Sequence, residues 1–274
     1  MTADNGDERL DRAKRYPYPA PRHSYLFVNG AAHELAEVGE DPVGDGVVSV
    51  ADRLAPVAKA LRDLGVRGTP GLDERVPVLA YGSNAAPEQL ARKFARFDGD
   101  VVIPVLRARL AGYDVVYAPH ITGYGAIPAT LEVSATTVAG VAVAFLTAPQ
   151  LALMHDSEIA AVNYVYGRLS NLALEFDGLP ALDSVFAYLT LHGSLALDGA
   201  PTALAAIDAR GRRFDSIGTV GMLALARDRV APGRPLDAFI LDNIDDAALR
   251  RARTAELRRY ARKPKLPAFE VIEG

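Results

Sequence analysis

Tyr81, Gly82, Ser83 and Asn84 follow one another where a short apolar run gives way to a proline, in the text VPVLAYGSNAAPEQL. Val76 to Ala80 has the length and composition of a buried strand, the next three residues after Tyr81 are turn formers, and Pro87 suits the opening of a helix. Backbone N–H groups between a strand and a helix have no partner in either element, so this turn can cradle an anion or a developing oxyanion. Gly82 permits close approach of a ligand to the backbone. The plainer alternative is an ordinary strand-to-helix turn with Ser83 or Asn84 as helix cap.

Glu158 is the second candidate, at the end of GVAVAFLTAPQLALMHDSE. Thr147 is a competent N-cap and Pro149 fits a first turn, so a helix should run through Leu151, Leu153 and Met154 to Glu158. A carboxylate so placed can act as a general acid/base, although a solvated surface group is what most glutamates are. His155 and Asp156 are neighbouring alternatives, His155 about one turn back. The five histidines show no metal-ligand spacing, so no metal site is expected. Ser83 has no dedicated histidine base nearby in the sequence, which argues against a serine nucleophile. The absence of cysteine excludes disulfides, a thiolate nucleophile and Cys-based metal centres.

Several elements must position these residues. Leu54, Val57, Ala58, Leu61 and Leu64 recur at helical spacing, with Gly65 as a stop. After Pro87, Leu90, Ala91 and Phe94 supply a buried stripe. The Val/Leu/Tyr-rich text from Val101 to Ala118 predicts two strands about a turn near Ala111 and Gly112. Further strands are predicted over Pro128 to Val133, Thr137 to Phe145, Asn163 to Leu174 and Ser184 to Leu191. A short helix is expected from Pro201 to Arg210, strand or helix from Gly218 to Ala226, and a basic helix from Asp245 to Arg262 before the tail leaves through Pro264 and Pro267. Short strands mixed with few helices, without βαβ periodicity, predict an α+β fold around a curved or closed sheet.

The chain carries a 23% charged fraction and a formal net charge of −4, which argue against disorder and against a globally nucleic-acid-seeking protein. The arginines of the last helix read as a solvated, amphipathic face. The amino-terminal text is charged and proline-punctuated, and no apolar stretch approaches the roughly 20 residues that span a bilayer. The expectation is therefore a cytoplasmic protein with no membrane partner.

The Tyr81-Gly82-Ser83-Asn84 turn resembles that of the γ-glutamylcyclotransferase-like family, in which a Tyr-Gly-Ser-Asn turn follows the first strand and leads into a helix. The second text likewise resembles the family's order of glycine, strand, helix start and a glutamate closing a short helix, here Glu158. Arg109, Gly112, Tyr113 and the AIPATL segment resemble the intervening strands, and the likeness spans about residues 76 to 195. The resemblance implies a small mixed β-barrel with flanking helices over residues 71–200, between an arm with a helix (1–70) and a C-terminal extension carrying the basic helix (201–274). It implies Glu158 as acid/base at the barrel mouth, with the amides of Gly82, Ser83 and Asn84 taking either the substrate carboxylate or the oxyanion. Tyr81, Tyr164 and Tyr188 would line the pocket, although core tyrosines read equally well at the last two. The implied reaction needs no cofactor: a small-molecule γ-glutamyl amide or peptide cyclises to 5-oxoproline and releases an amine. An enclosing apolar barrel would raise the pKa of Glu158. Ala85 and Ala86 stand where the family commonly has a larger apolar residue, and Ile159 stands where it often has glycine. The rival expectation is a non-catalytic small-ligand or regulatory module using the same pocket.

Overall fold

The computed structural model describes residues 4–158, 163–263 and 268–273. The first half contains α1 (Asp4–Lys14), β1 (Tyr25–Val28), β2 (Ala31–Glu37), β3 (Val47–Val50), β4 (Arg53–Pro56), α2 (Val57–Asp63), β5 (Val76–Ala80), α3 (Pro87–Phe94), β6 (Val102–Tyr117) and β7 (Ala129–Leu146). There follow α4 (Ala148–Glu158), β8 (Tyr164–Phe176), β9 (Leu182–Thr190), β10 (Ser194–Leu195), β11 (Ala203–Leu204), β12 (Ala209–Arg210) and β13 (Ser216–Ile217). The chain ends with α5 (Thr219–Val230), α6 (Leu236–Asp245), α7 (Ala247–Leu257), β14 (Ala261–Arg262) and β15 (Phe269–Glu273). The protein is thus mixed α+β, as its strand-rich, non-alternating sequence predicts. Strands pair in the order β7-β5-β9-β8-β6, and β7 also pairs with β6, which closes these five strands into a barrel. Closure leaves no unpaired edge among them. No helix among the described residues is long and apolar enough to cross a membrane.

Packing divides the chain into two units, each assembled from separated segments. The first holds Met1–Tyr18, Gly112–Ala139 and Thr190–Pro267; the second holds Pro19–Ala111, Gly140–Leu189 and Ala268–Gly274. The two longest strands contribute to both, β6 changing unit at Gly112 and β7 at Gly140.

In the second unit, β5 lies between two partners, which explains why its text is an uninterrupted apolar run. It is antiparallel to β7, from Val76↔Leu146 to Ala80↔Ala142, and parallel to β9 at Val78↔Phe186. Its inward residues join Tyr25, Phe27, Leu90, Phe94, Ile103, Val105 and Met154 in one buried cluster. Each such large side chain contributes roughly 1.5–3 kcal/mol through removal from water. Arg75, just before β5, is only 6% exposed. Its guanidinium donates to the carbonyls of Val102 (2.8 Å), Phe145 (3.1 Å) and Pro70 (3.2 Å) and to Thr69 Oγ1 (2.6 Å), stapling β6 and β7 to the segment that enters β5. Burial pulls its pKa down to about 10, against the opposing charges of Asp41 and Glu74.

In the first unit Arg250 and Arg253 of α7, expected on a solvated face, serve the fold instead, while Arg251 is exposed. Arg250 donates to the carbonyl of Asn243 at 2.5 Å, at the C-terminal end of α6, where carbonyls lack intrahelical partners. Arg253 lies over the Phe239 ring at 4.9 Å and donates to Asn243 Oδ1 at 3.1 Å. Asp114 and Glu132 are buried; Asp114 pairs with Arg212 at 3.0 Å, and Glu132 accepts from Ser194 Oγ at 2.6 Å.

Several elements differ from the sequence expectation. Within 101–118 one long strand, Val102–Tyr117, forms instead of two, because Gly112, at φ +82°, takes up backbone geometry that would otherwise end it. The stretches 128–133 and 137–145 likewise merge into β7. Residues 201–210, expected to be helical, contain β11 and β12, whose pairing with β6, β13 and β7 overrides local spacing. The early amphipathic helix is confined to α2, because Leu54 lies in β4 against β3. The basic stretch is α7, one turn of 3-10 helix over Arg258–Tyr260, and β14. Pro264 and Pro267 lie outside the described residues.

Candidate functional site

The C-terminal end of β5 delivers Tyr81 into the second unit, 6% exposed, where its hydroxyl donates to the carbonyl of Tyr188 on β9. Gly82 then leads into one turn of 3-10 helix, Ser83–Ala85, and Ala86 returns to extended geometry before Pro87 opens α3. The residue before a proline is steered away from helical geometry, which separates this turn from α3. The N-cap position of α3 is consequently Ala86, and no side chain caps it. Neither Ser83 nor Asn84 is a helix cap. Asn84 Nδ2 donates instead to Glu158 Oε1 at 2.8 Å, joining two sequence motifs 74 residues apart.

Glu158 is delivered by α4. Thr147 and Gln150 form half of a capping box at its start, the Gln150 side chain accepting from the Thr147 N–H at 3.0 Å. Met154, 1% exposed, anchors the helix in the apolar cluster, and α4 packs against α3 and β8. Across from Glu158 stands Lys93 of α3. Its ammonium donates to Glu158 Oε1, to Ser157 Oγ at 2.8 Å and toward Met154 Sδ at 3.3 Å. Side-chain exposure is only 7% for Lys93 and 17% for Glu158, so water weakens this ion pair little.

These contacts reverse the expected electrostatics of the carboxylate. Burial, the largest single influence, pushes the pKa of Glu158 up; the Lys93 charge and the hydrogen bonds from Lys93 and Asn84 together outweigh it and hold the pKa below its ordinary value. An apolar enclosure alone would have raised it. Glu158 is therefore anionic at neutral pH, the form a base requires.

Beside this pair lies an aromatic wall. The Tyr188 hydroxyl is 2.8 Å from His155 Nδ1, and His155 meets the Tyr166 ring edge-on at 4.6 Å between centroids. Tyr166 stacks on Phe186 at 5.3 Å and 8° between planes. Tyr188 is 4% exposed, whereas Tyr164 is half-buried and packs against the apolar cluster. The structure thus brings together Tyr81 with Tyr188, Asn84 with Glu158, and His155 with Tyr188. Ser83 and Gly82 belong to the same turn, half-buried. Ala85 and Ala86 are buried, and the Ala85 carbonyl accepts from the Tyr25 hydroxyl at 3.0 Å, so the small residues sit against β1. Ile159 lies outside the described residues.

Sequence reasoning missed Lys93 and Tyr166. The signal for Lys93 was its place in α3: three residues after Leu90 and next to Phe94, it borders the buried stripe, where a lysine must snorkel or find a partner. Two acceptors in this region also lack donors among the described residues. The buried Asn84 Oδ1 and Gln89 Oε1 accept no hydrogen bond, and Gln89 stands one turn before Lys93 on the same face of α3. Among the described residues no group of three or more metal-ligating side chains occurs. Comparison with protein-family models, curated proteins and solved structures finds no match.

Proposed function

We propose that the chain is a γ-glutamylcyclotransferase-like enzyme that closes a γ-glutamyl amide or peptide to 5-oxoproline, with Glu158 as general acid/base. The observation that supports this reading most is the Asn84–Glu158 hydrogen bond, since it unites the two motifs on which the resemblance rests.

The reaction suits such a site. The substrate's α-amine and its γ-carbonyl are already tethered, so correct folding of the substrate supplies much of the acceleration. The α-ammonium must lose two protons in all, the tetrahedral oxyanion must be stabilised, and the departing nitrogen must gain two protons. An anionic Glu158 takes a proton from the α-nitrogen, and the carboxyl so formed returns it to the leaving nitrogen, once for each proton. The amides of Gly82, Ser83 and Asn84 take the oxyanion or the substrate's α-carboxylate, and Tyr81 and Tyr188 form a wall.

One observation favours the rival reading of a non-catalytic binder of the same ligand: Lys93 lowers the basicity of Glu158, and a weaker base is a poorer catalyst. Incubation of the purified protein with γ-glutamyl amines, γ-glutamyl dipeptides and glutathione, followed by mass detection of 5-oxoproline, separates the two. An enzyme forms the product, and Glu158→Gln abolishes it while ligand binding persists. Binding without any product from the unaltered protein refutes catalysis.

A further inference from the structure

We propose that Lys93 is a positioning residue for Glu158, fastening Oε1 together with Asn84 so that Oε2 and Asn84 Oδ1 are turned to the primary ammonium of a γ-glutamyl ligand. The proposal rests on the cyclisation reading of the same site and assigns a task to a residue outside the two motifs.

The geometry carries it in three steps. An ammonium has three N–H donors, and those of Lys93 are matched by Glu158, Ser157 and Met154. Lys93 therefore has no donor left for a ligand, and its charge is directed at Glu158. The carboxylate, in contrast, is under-used: among the described residues both donors, Lys93 and Asn84, fall on Oε1. A carboxylate offers about four acceptor positions over its two oxygens, so Oε2 can accept from a ligand. Finally, Asn84 is locked by its own bond to Oε1, and its Oδ1 is buried with no donor among the described residues. A buried carbonyl oxygen left unsatisfied costs on folding, unless a ligand supplies the missing N–H. What the site lacks is donors, and a primary ammonium brings three.

This division of the carboxylate also organises the proton transfers. When Oε2 takes a proton from the α-nitrogen, Oε1 keeps Lys93 and Asn84 as donors, so the group has no reason to rotate. The proton stays on the oxygen that faces the substrate and is returned from there to the leaving nitrogen. Other ionisable groups around α4 are engaged elsewhere or point away. Glu88 and Arg92 of α3 pair with each other, His155 meets Tyr188 and the Tyr166 of β8, and Asp156 is exposed.

The test compares the unaltered protein with Lys93→Met, which keeps an apolar stem, and Lys93→Arg, which keeps the charge. In protein carrying ¹³C-labelled glutamate, with Glu158→Gln to assign the signal, the Glu158 carboxyl is titrated by NMR. The midpoint should move up in Lys93→Met and stay near that of the unaltered protein in Lys93→Arg. L-glutamate should shift the Glu158 signal, and glutarate, which lacks the ammonium, should not. The acid limb of kcat/KM for 5-oxoproline formation should move with the NMR midpoint, each unit costing Lys93→Met about tenfold on that limb. An unmoved midpoint in Lys93→Met, or glutarate acting like L-glutamate, overturns the proposal. Absence of 5-oxoproline from the unaltered protein overturns the cyclisation reading alone, since the titration and the two ligands still decide the role of Lys93.

Discussion

Replacing Asn84 by aspartate changes one NH2 to one oxygen and inverts the electrostatics of the site. In the unaltered protein Asn84 Nδ2 donates to Glu158 Oε1 at 2.8 Å. Asn84→Asp removes a hydrogen bond to a charged group, which is worth about 1.5–3 kcal/mol. It also sets a second carboxylate against the first; two unit charges about 4 Å apart repel by about 4 kcal/mol at an effective dielectric of 20. Lys93 still offsets the charge of Glu158 and one carboxyl will keep a proton, so the net loss should be about 3–4 kcal/mol at pH 8 and about 1 kcal/mol at pH 5. The sign of the pH trend is diagnostic. Glu158 in the unaltered protein has a depressed pKa, so its stabilising contribution is complete above the ordinary carboxyl value and fades as pH falls through the depressed one. In Asn84→Asp the shared proton is held more tightly when folded. Its contribution is complete below the ordinary value and is lost as pH rises through the elevated one. Urea unfolding from pH 5 to pH 8 reads this directly: the midpoint of Asn84→Asp should fall by about 1 M at pH 8 and recover toward pH 5. Asn84→Ala, which loses the donor without adding charge, should cost about 1–2 kcal/mol at both pH values. Equal losses for Asp and Ala, flat with pH, would show that this side chain does not meet the carboxylate.

Two further substitutions test the frame around the site. Arg75→Met should destabilise by about 3–4 kcal/mol in urea unfolding, because two strand carbonyls and that of Pro70 lose a shared donor, and Arg75→Lys should lose nearly as much, since one ammonium cannot reach them all; a loss below about 1 kcal/mol in either contradicts the stapling role. Gly167→Ala should detach β15, because a Cβ there would lie 2.4 Å from the carbonyl oxygen of Glu270; the readout is early proteolysis of the last residues, and unchanged protection would refute it.

What the sequence discloses about this site is what is encoded within a few residues. The apolar run of β5, the glycine after Tyr81, the helix opening at Pro87 and the start of α4 at Thr147 and Pro149 are local, and each element lies where its text places it. The contact between Asn84 and Glu158 is not local, and only the resemblance pointed to it. Lys93 lies 65 residues from the carboxylate it neutralises. The direction in which the pKa of Glu158 moves depends on that partner, so reasoning from burial alone reached the opposite sign. The same limit explains the extension, where spacing in Pro201 to Arg210 suited a helix and the available partners were the strands β6, β7 and β13. Strand identity there is decided by what lies alongside.

The interleaving of the two units bears on how the protein can be dissected. A fragment trimmed to residues 76–195 would begin after β1, and would strip from β6 the antiparallel neighbour that covers Val102 to Val105. It would also remove β15 from β8 and leave the strand halves beyond Gly112 and before Gly140 without α5, α6 and α7. Terminal deletion is therefore a poor way to isolate the region around Glu158, and point substitution in the whole chain is the sound one. For the same reason insertion of another sequence is best directed to a loop, leaving both ends of the chain in place.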